Sequence, residues 1–141
     1  MRGLSLRPLA CVVLPWVLCA GCFGNADPIV RVGGTITYQG QPLQGFVVTF
    51  QPEKGRPSVS GIDEQGRFDL AYTFREKGVL KGKHKIYLHY SPVDTRAAML
   101  ADRGKYDLRI REILQKYGAY DRTSFEVEIT QPEDNLQIDL P

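Results

Sequence analysis

The segments Phe125-Glu126-Val127-Glu128-Ile129 and Leu136-Gln137-Ile138-Asp139-Leu140 alternate apolar and polar residues without a fault. Successive side chains of an extended strand point to opposite faces, so each segment fits a sheet with one side on a core and the other in water. A helix would scatter the same apolar residues around its circumference. The same period places Phe46, Val48 and Phe50 together, and Ile86, Leu88 and Tyr90 opposite Lys85, Tyr87 and His89. Earlier extended runs are Ile29-Val30-Arg31-Val32, continuing through two glycines into Thr35-Ile36-Thr37-Tyr38, and a weaker one from Ser58 to Ile62. Turn residues punctuate them: Gln39-Gly40-Gln41-Pro42, and Asp63-Glu64-Gln65-Gly66, where Asp accepts a bond from the backbone two residues on and Gly supplies positive φ. The latter turn predicts a hairpin joining Ile62 to Arg67-Phe68-Asp69-Leu70. A content of 14 Gly and 9 Pro in 141 residues suits an all-β domain of many short strands.

Residues 92–122 break the strand period. Asp94 or Thr95 is placed to cap a helix running to about Arg103, with Gly104 as its stop. A second helix from near Asp107 to Tyr117 brings Ile110, Ile113, Leu114 and Tyr117 onto one apolar face, and Gly118 ends it. A helical insert at about 94–117, before the last two strands, therefore packs across an open edge or end of the sheets. The alternative is a helix that meets a partner or a membrane surface through Arg109, Arg111 and Lys116.

The first 21 residues stand apart. Arg2 and Arg7 precede a ten-residue apolar run, Leu9 to Leu18, which contains Pro15 and is shorter than the roughly 20 residues a spanning helix needs. A basic start, a short apolar core and small residues before a break form a secretory signal. Ala20-Gly21-Cys22 resembles a bacterial lipobox, although Cys19 stands three places before the cysteine where Leu is usual. The resemblance implies cleavage before Cys22, a lipid thioether on its sulfur, and removal of Cys11 and Cys19, so the Cys19-x-x-Cys22 pair performs no redox or metal chemistry. The expected organisation is a signal peptide at 1–21, a tether at 22–28 and a β-domain at 29–141. Phe23 beside the lipidated cysteine favours outer-membrane delivery, by analogy with the enterobacterial sorting rule.

Two of the 18 basic residues precede Cys22 and none of the 16 acids does, so the side chains beyond the cut balance at 16 against 16. Such a chain gives no sign of nucleic-acid binding. The charges are unevenly spread: residues 75–122 hold twelve bases and six acids, and residues 123–141 five acids and no base. Two solvated faces account for this, or contact with an anionic polymer or headgroup.

In combination and in order, Gly40-Gln41-Pro42-Leu43-Gln44-Gly45, the Asp63 to Phe68 turn, the Gly82 to Ile86 segment and the final acidic turn with its alternating strand resemble the carboxypeptidase regulatory-like, or transthyretin-like, domain of small bacterial lipoproteins. The resemblance covers about residues 30–90 and 117–140, and it implies a seven-stranded antiparallel transthyretin-like or Ig-like sandwich, a fold usually without catalytic activity. The insert is where this chain departs from the pattern.

The residues announce no active site. His84 and His89 are the two histidines, and an offset of five puts them on opposite faces of a strand, so they do not share a metal; surface and strand-entry positions are expected for them. Ser58, Ser60, Ser91 and Ser124 lack a nucleophile-elbow setting. Glu126 and Glu128 share an exposed face, where solvent or cross-strand lysines match them. The carboxylates at Asp63 to Glu64 lack the further oxygen ligands of a calcium loop. The chain does not end in the Tyr-Arg-Gly-Ser of transthyretin-like hydrolases, and no lysine precedes Lys54 to form the isopeptide crosslink of collagen-adhesin domains. The expectation is a non-enzymatic envelope lipoprotein without metal or cofactor, held to the membrane by its N-terminal lipid. Arg109, Arg111, Lys116, Tyr87 and His89 form its candidate surface for an envelope protein or glycan. Carbohydrate binding through Tyr87 and Tyr120 is the second expectation, with Tyr72 expected to face the core.

Overall fold

The computed structural model describes residues 28–141; the expected signal segment, Cys22 and all of the tether except Pro28 lie outside the described residues. In chain order the elements are β1 (Ile29–Val30), β2 (Val32–Tyr38), β3 (Gln41–Pro42), β4 (Phe46–Pro52), β5 (Ser58–Gly61), β6 (Arg67–Asp69), β7 (Val79–Leu80), β8 (Gly82–Tyr90), α1 (Thr95–Asp102), α2 (Leu108–Tyr117), β9 (Glu126–Ile129) and β10 (Glu133–Leu140). The fold is mostly β with two short helices. Among the described residues the strands number ten where seven were expected, and β1, β3 and β7 are only two residues long.

One sheet runs β5-β4-β8-β9, antiparallel throughout. A second is built on β2, which pairs with β3 and β6 antiparallel and with β10 on its other side. The β10 pairing is parallel, with Ile138 opposite Ile36 and Leu140 opposite Tyr38. This corrects the expectation of a purely antiparallel fold. Alternation fixes which face a residue takes but not the direction of its neighbour, and the chain leaves β9 in one sheet to start β10 in the other, at the same end as β2. Between Glu133 and Leu136 the register slips, and Gly34 lies so close to the Leu136 backbone that any β-carbon there would overlap it.

The inward faces match the sequence period. Ile36, Tyr38, Phe46, Val48, Phe50, Phe68, Ile86, Leu88, Ile138 and Leu140 form one buried cluster with Leu43 and Leu70. Outward acids on β9 stand in register with lysines across the ladder, Glu126 opposite Lys85 and Glu128 opposite Lys83.

The Asp63 turn forms as its residues dictate. Asp63 Oδ1 accepts from the backbone N–H of Gln65 and Arg67, at 2.9 and 2.8 Å, and Gly66 takes φ of 78°. Its arms are not a simple hairpin, however. Asp63 bonds to Arg67 and Val59 bridges Ala71, yet between these points β5 stays with β4 and β6 turns to β2. The turn is a corner between two sheets, because the residues between the bridges spend their backbone bonds on different partners.

Candidate functional site

Both helices begin at the expected aspartates. Asp94 Oδ2 accepts from Ala97 N–H at 2.8 Å, and Asp107 Oδ1 accepts from Ile110 N–H at 2.9 Å. These bonds satisfy N–H groups that a helix start leaves without partners. The two helices then differ. None of the α1 residues is buried, while α2 packs along β8 and sends Ile113 and Tyr117 into the core. The ring of Tyr117 meets Tyr38 edge-on, and its hydroxyl donates to the Pro141 carbonyl at 2.9 Å.

Beside that core face, Leu114, Gln115 and Gly118 lie three, four and seven residues after Arg111 and share with it one flank of α2. This flank meets the end of β8. Together with His89, Tyr90, Tyr106 and Arg122 it lines a cavity of about 520 Å³. Tyr90 and Tyr106 form one wall, edge to face at 5.9 Å and 81°. Burial, reinforced by the negative charges of Asp107 and Asp94, holds the Tyr90 phenol above its ordinary pKa, so at neutral pH it remains a hydrogen-bond donor. Arg122 is placed by the turn after α2, where the N–H groups of Arg122 and Thr123 both donate to the Ala119 carbonyl.

Arg111 and Arg122 bring two cations to this cavity. The ion pairs among the described residues are Arg67 with Asp63 and Lys77 with Asp69, so neither cavity guanidinium is held in an ion pair with a carboxylate. Arginine holds its charge at all physiological pH values and presents donors in a planar fork. The arrangement therefore offers two anion-binding groups, one phenol donor, an amide and an imidazole around an aromatic wall. Among the described residues no group of three or more His, Cys, Asp or Glu side chains could hold a metal ion.

Of the five residues expected to form an interaction surface, only His89 and Arg111 reach this cavity. Arg109 turns away and donates to the carbonyls of Gln41 and Pro42 at 3.3 and 3.4 Å. Lys116 donates to the Tyr38 hydroxyl and the Pro141 carbonyl and lies over the Tyr38 ring. Both therefore act as intramolecular braces that pin α2 to the sheet carrying β2. Tyr87 is half-buried opposite Thr49. Tyr120 is exposed with the Lys85 ammonium over its ring at 4.8 Å, and the ring contacts among the described residues do not join it to Tyr87. Tyr72 is not in the core; it is half-buried beneath the Arg56 guanidinium, because the inward parity of Phe68 and Leu70 ends at a turn in which the N–H groups of Tyr72 and Thr73 both donate to the Glu76 carbonyl. The sequence reading passed over Tyr90, Tyr106, Gln115 and Arg122 as site residues. The stripe at 111, 114, 115 and 118 was available as a signal, but the place of Arg122 depends on a turn that no spacing rule reads.

His84 is also corrected. It is 1% exposed rather than at the surface, because it shares the inward parity of Ile86 and Leu88. Its Nε2 lies 2.7 Å from the Leu80 carbonyl and must donate to it, while Nδ1 is buried without a partner. Among the described residues no helix is long and apolar enough to cross a membrane. No protein-family model, no curated protein and no solved structure matches this chain, so the lipoprotein and transthyretin-like resemblances stand on their sequence motifs alone.

Proposed function

We propose that this chain is a membrane-anchored, non-enzymatic envelope module. In this reading its two larger sheets stack as a transthyretin-like sandwich, and it contacts an envelope protein or glycan through the cavity between α2 and β8. The observation that carries the binding part is the pair of guanidiniums without carboxylate partners, Arg111 and Arg122, in one aromatic-walled cavity of about 520 Å³. That volume lies within the range of about 300–1,000 Å³ usual for small-ligand sites. The anchor part rests on the basic and apolar N-terminal segment and on Ala20-Gly21-Cys22. A domain held by a short tether works close to the membrane surface, which favours an envelope partner.

Two experiments test the reading separately. Intact mass of the membrane-extracted protein should show loss of the first 21 residues and a gain of lipid mass, both abolished by Cys22→Ser; an unmodified, uncleaved chain overturns the anchor. Crosslinking in intact cells should capture the same partners from the wild type and from Arg96→Gln, and lose them in Arg111→Gln and Arg122→Gln. Point variants are preferred to deletion of the insert, because Ile113 is wholly buried and its removal would open the core.

A further inference from the structure

We infer that the cavity between α2 and β8 takes an acidic sugar, a saccharide unit carrying a carboxylate or a phosphate. The inference rests on the reading of this cavity as the binding face and assigns the chemical class of its ligand.

Three features select that class. Arg111 on α2 and Arg122 on the following turn line the same space, with no carboxylate among its lining residues. Two such forks call for an anion, and a guanidinium matches a carboxylate or phosphate with two parallel hydrogen bonds. A simple inorganic ion, however, would use only part of a space of about 520 Å³. The rest of the wall is Tyr90 and Tyr106, with Leu114 the one aliphatic side chain. Aromatic faces accept the apolar C–H side of a sugar ring, and Gln115, His89 and the Tyr90 phenol are groups that bond to its hydroxyls. A fatty acid would need a longer apolar wall than one leucine and two tyrosine rings provide. An extended peptide would need a sheet edge, but β8 has β4 on one side, and on the other it has β9 as far as Lys85 and α2 packed along it. The site is open to solvent, since His89, Arg111, Gln115 and Arg122 are all exposed, so a unit within a longer glycan can enter without a conformational change.

The test is calorimetric titration of the full-length chain in a neutral detergent with four probes: a galacturonate disaccharide, glucose 6-phosphate, a neutral disaccharide and a short glutamate-rich peptide. The expected result is binding of one or both acidic sugars, with the neutral disaccharide at least about tenfold weaker and affinity falling as salt rises. Preference between the two acidic probes tells a carboxylated from a phosphorylated ligand. Arg111→Gln and Arg122→Gln should each weaken the acidic sugar by about tenfold or more, while Arg96→Gln on α1 leaves it unchanged. Both arginines are exposed, so an unchanged thermal midpoint will show that the variants still fold. Equal affinity for the neutral sugar, preference for the peptide, absence of acidic-sugar binding, or indifference to both arginines overturns the assignment. The crosslinking experiment separates this failure from that of the underlying reading. If crosslinks are lost in the arginine variants but no acidic sugar titrates, the ligand class is wrong and the site remains; if crosslinks survive, the site itself is wrong.

Discussion

The His84 ring donates through Nε2 to the Leu80 carbonyl and faces Phe50 at 6.1 Å, leaving Nδ1 bare and buried. Burial disfavours the charged imidazolium, outweighing nearby backbone acceptors, and moves the pKa below the ordinary 6.5. The unfolded chain therefore binds a proton first as pH falls. The neutral ring's contribution is complete above about pH 6.5 and is lost as pH drops through the lowered folded value. Urea midpoints measured from pH 8 to pH 5 should decline in the wild type and decline less in His84→Leu; parallel curves would remove this role. Gly34 illustrates a different constraint, a backbone that passes too close for any side chain. Gly34→Ala meets the Leu136 backbone and should cost about 2 kcal/mol or more, whereas Gly61→Ala, with open space around it, should change stability by less than about 1 kcal/mol. Equal urea midpoints for the two variants would contradict the close approach. The two residues differ in how far they could be read in advance. The inward parity of His84 was available from its neighbours Ile86 and Leu88, but the contact of Gly34 with a segment about a hundred residues away was not.

At the level of elements, the signals that worked were local ones. The limits of α1 and α2 follow from Asp94, Gly104, Asp107 and Gly118, whose bonds and angles involve residues within one turn. The Asp63 corner was legible for the same reason, while the divergence of its arms was not, because β4 and β2 decide it from elsewhere in the chain. The apolar face of α2 was legible too, and Ile113 and Tyr117 do enter the core. Its basic residues were read as one group although they serve two purposes, since only tertiary neighbours distinguish Arg109 and Lys116, which brace the sheet, from Arg111, which lines the cavity. The contrast between the helices has a measurable consequence. Asp107→Ala removes the cap of a helix that is tied to the core and should cost about 1 kcal/mol of global stability. Asp94→Ala removes an equivalent cap from a helix with no buried residue, so global stability should move by less than about 0.5 kcal/mol, with faster amide exchange confined to α1. If Asp94→Ala lowers the urea midpoint as much as Asp107→Ala, α1 is part of the cooperative unit and the distinction fails.

Across the whole molecule, β10 connects the sheet built on β2 to the helix that shapes the cavity. It lies parallel to β2 from Gly34 to Tyr38, buries Ile138 and Leu140, and is followed by Pro141, whose carbonyl accepts from Tyr117 and Lys116 of α2. Asp139 adds a tie at the same end, accepting from the Thr37 hydroxyl at 2.6 Å and from Gly40 N–H at 3.1 Å. Thr37 and Gly40 hold the Asp139 carboxyl below its ordinary pKa, so this tie is intact above pH 3.8 and is lost as pH falls through the lowered value. Because β2 and β10 lie about a hundred residues apart, their pairing closes a long loop, and the molecule cannot complete its core before that closure. Removal of residues 133–141 should therefore abolish cooperative unfolding rather than shorten one sheet, since it strips a full edge from β2 and deletes two core side chains, Ile138 and Leu140. Removal of Pro141 alone leaves both sheets intact and deletes the acceptor that orients Tyr117 and Lys116. It should lower stability by about 1 kcal/mol, while weakening ligand binding at the α2 cavity more than Arg96→Gln does. Circular dichroism during urea unfolding reads the first outcome and calorimetry the second; a cooperative transition in the nine-residue truncation would show that β10 is an accessory strand and that the core closes without it.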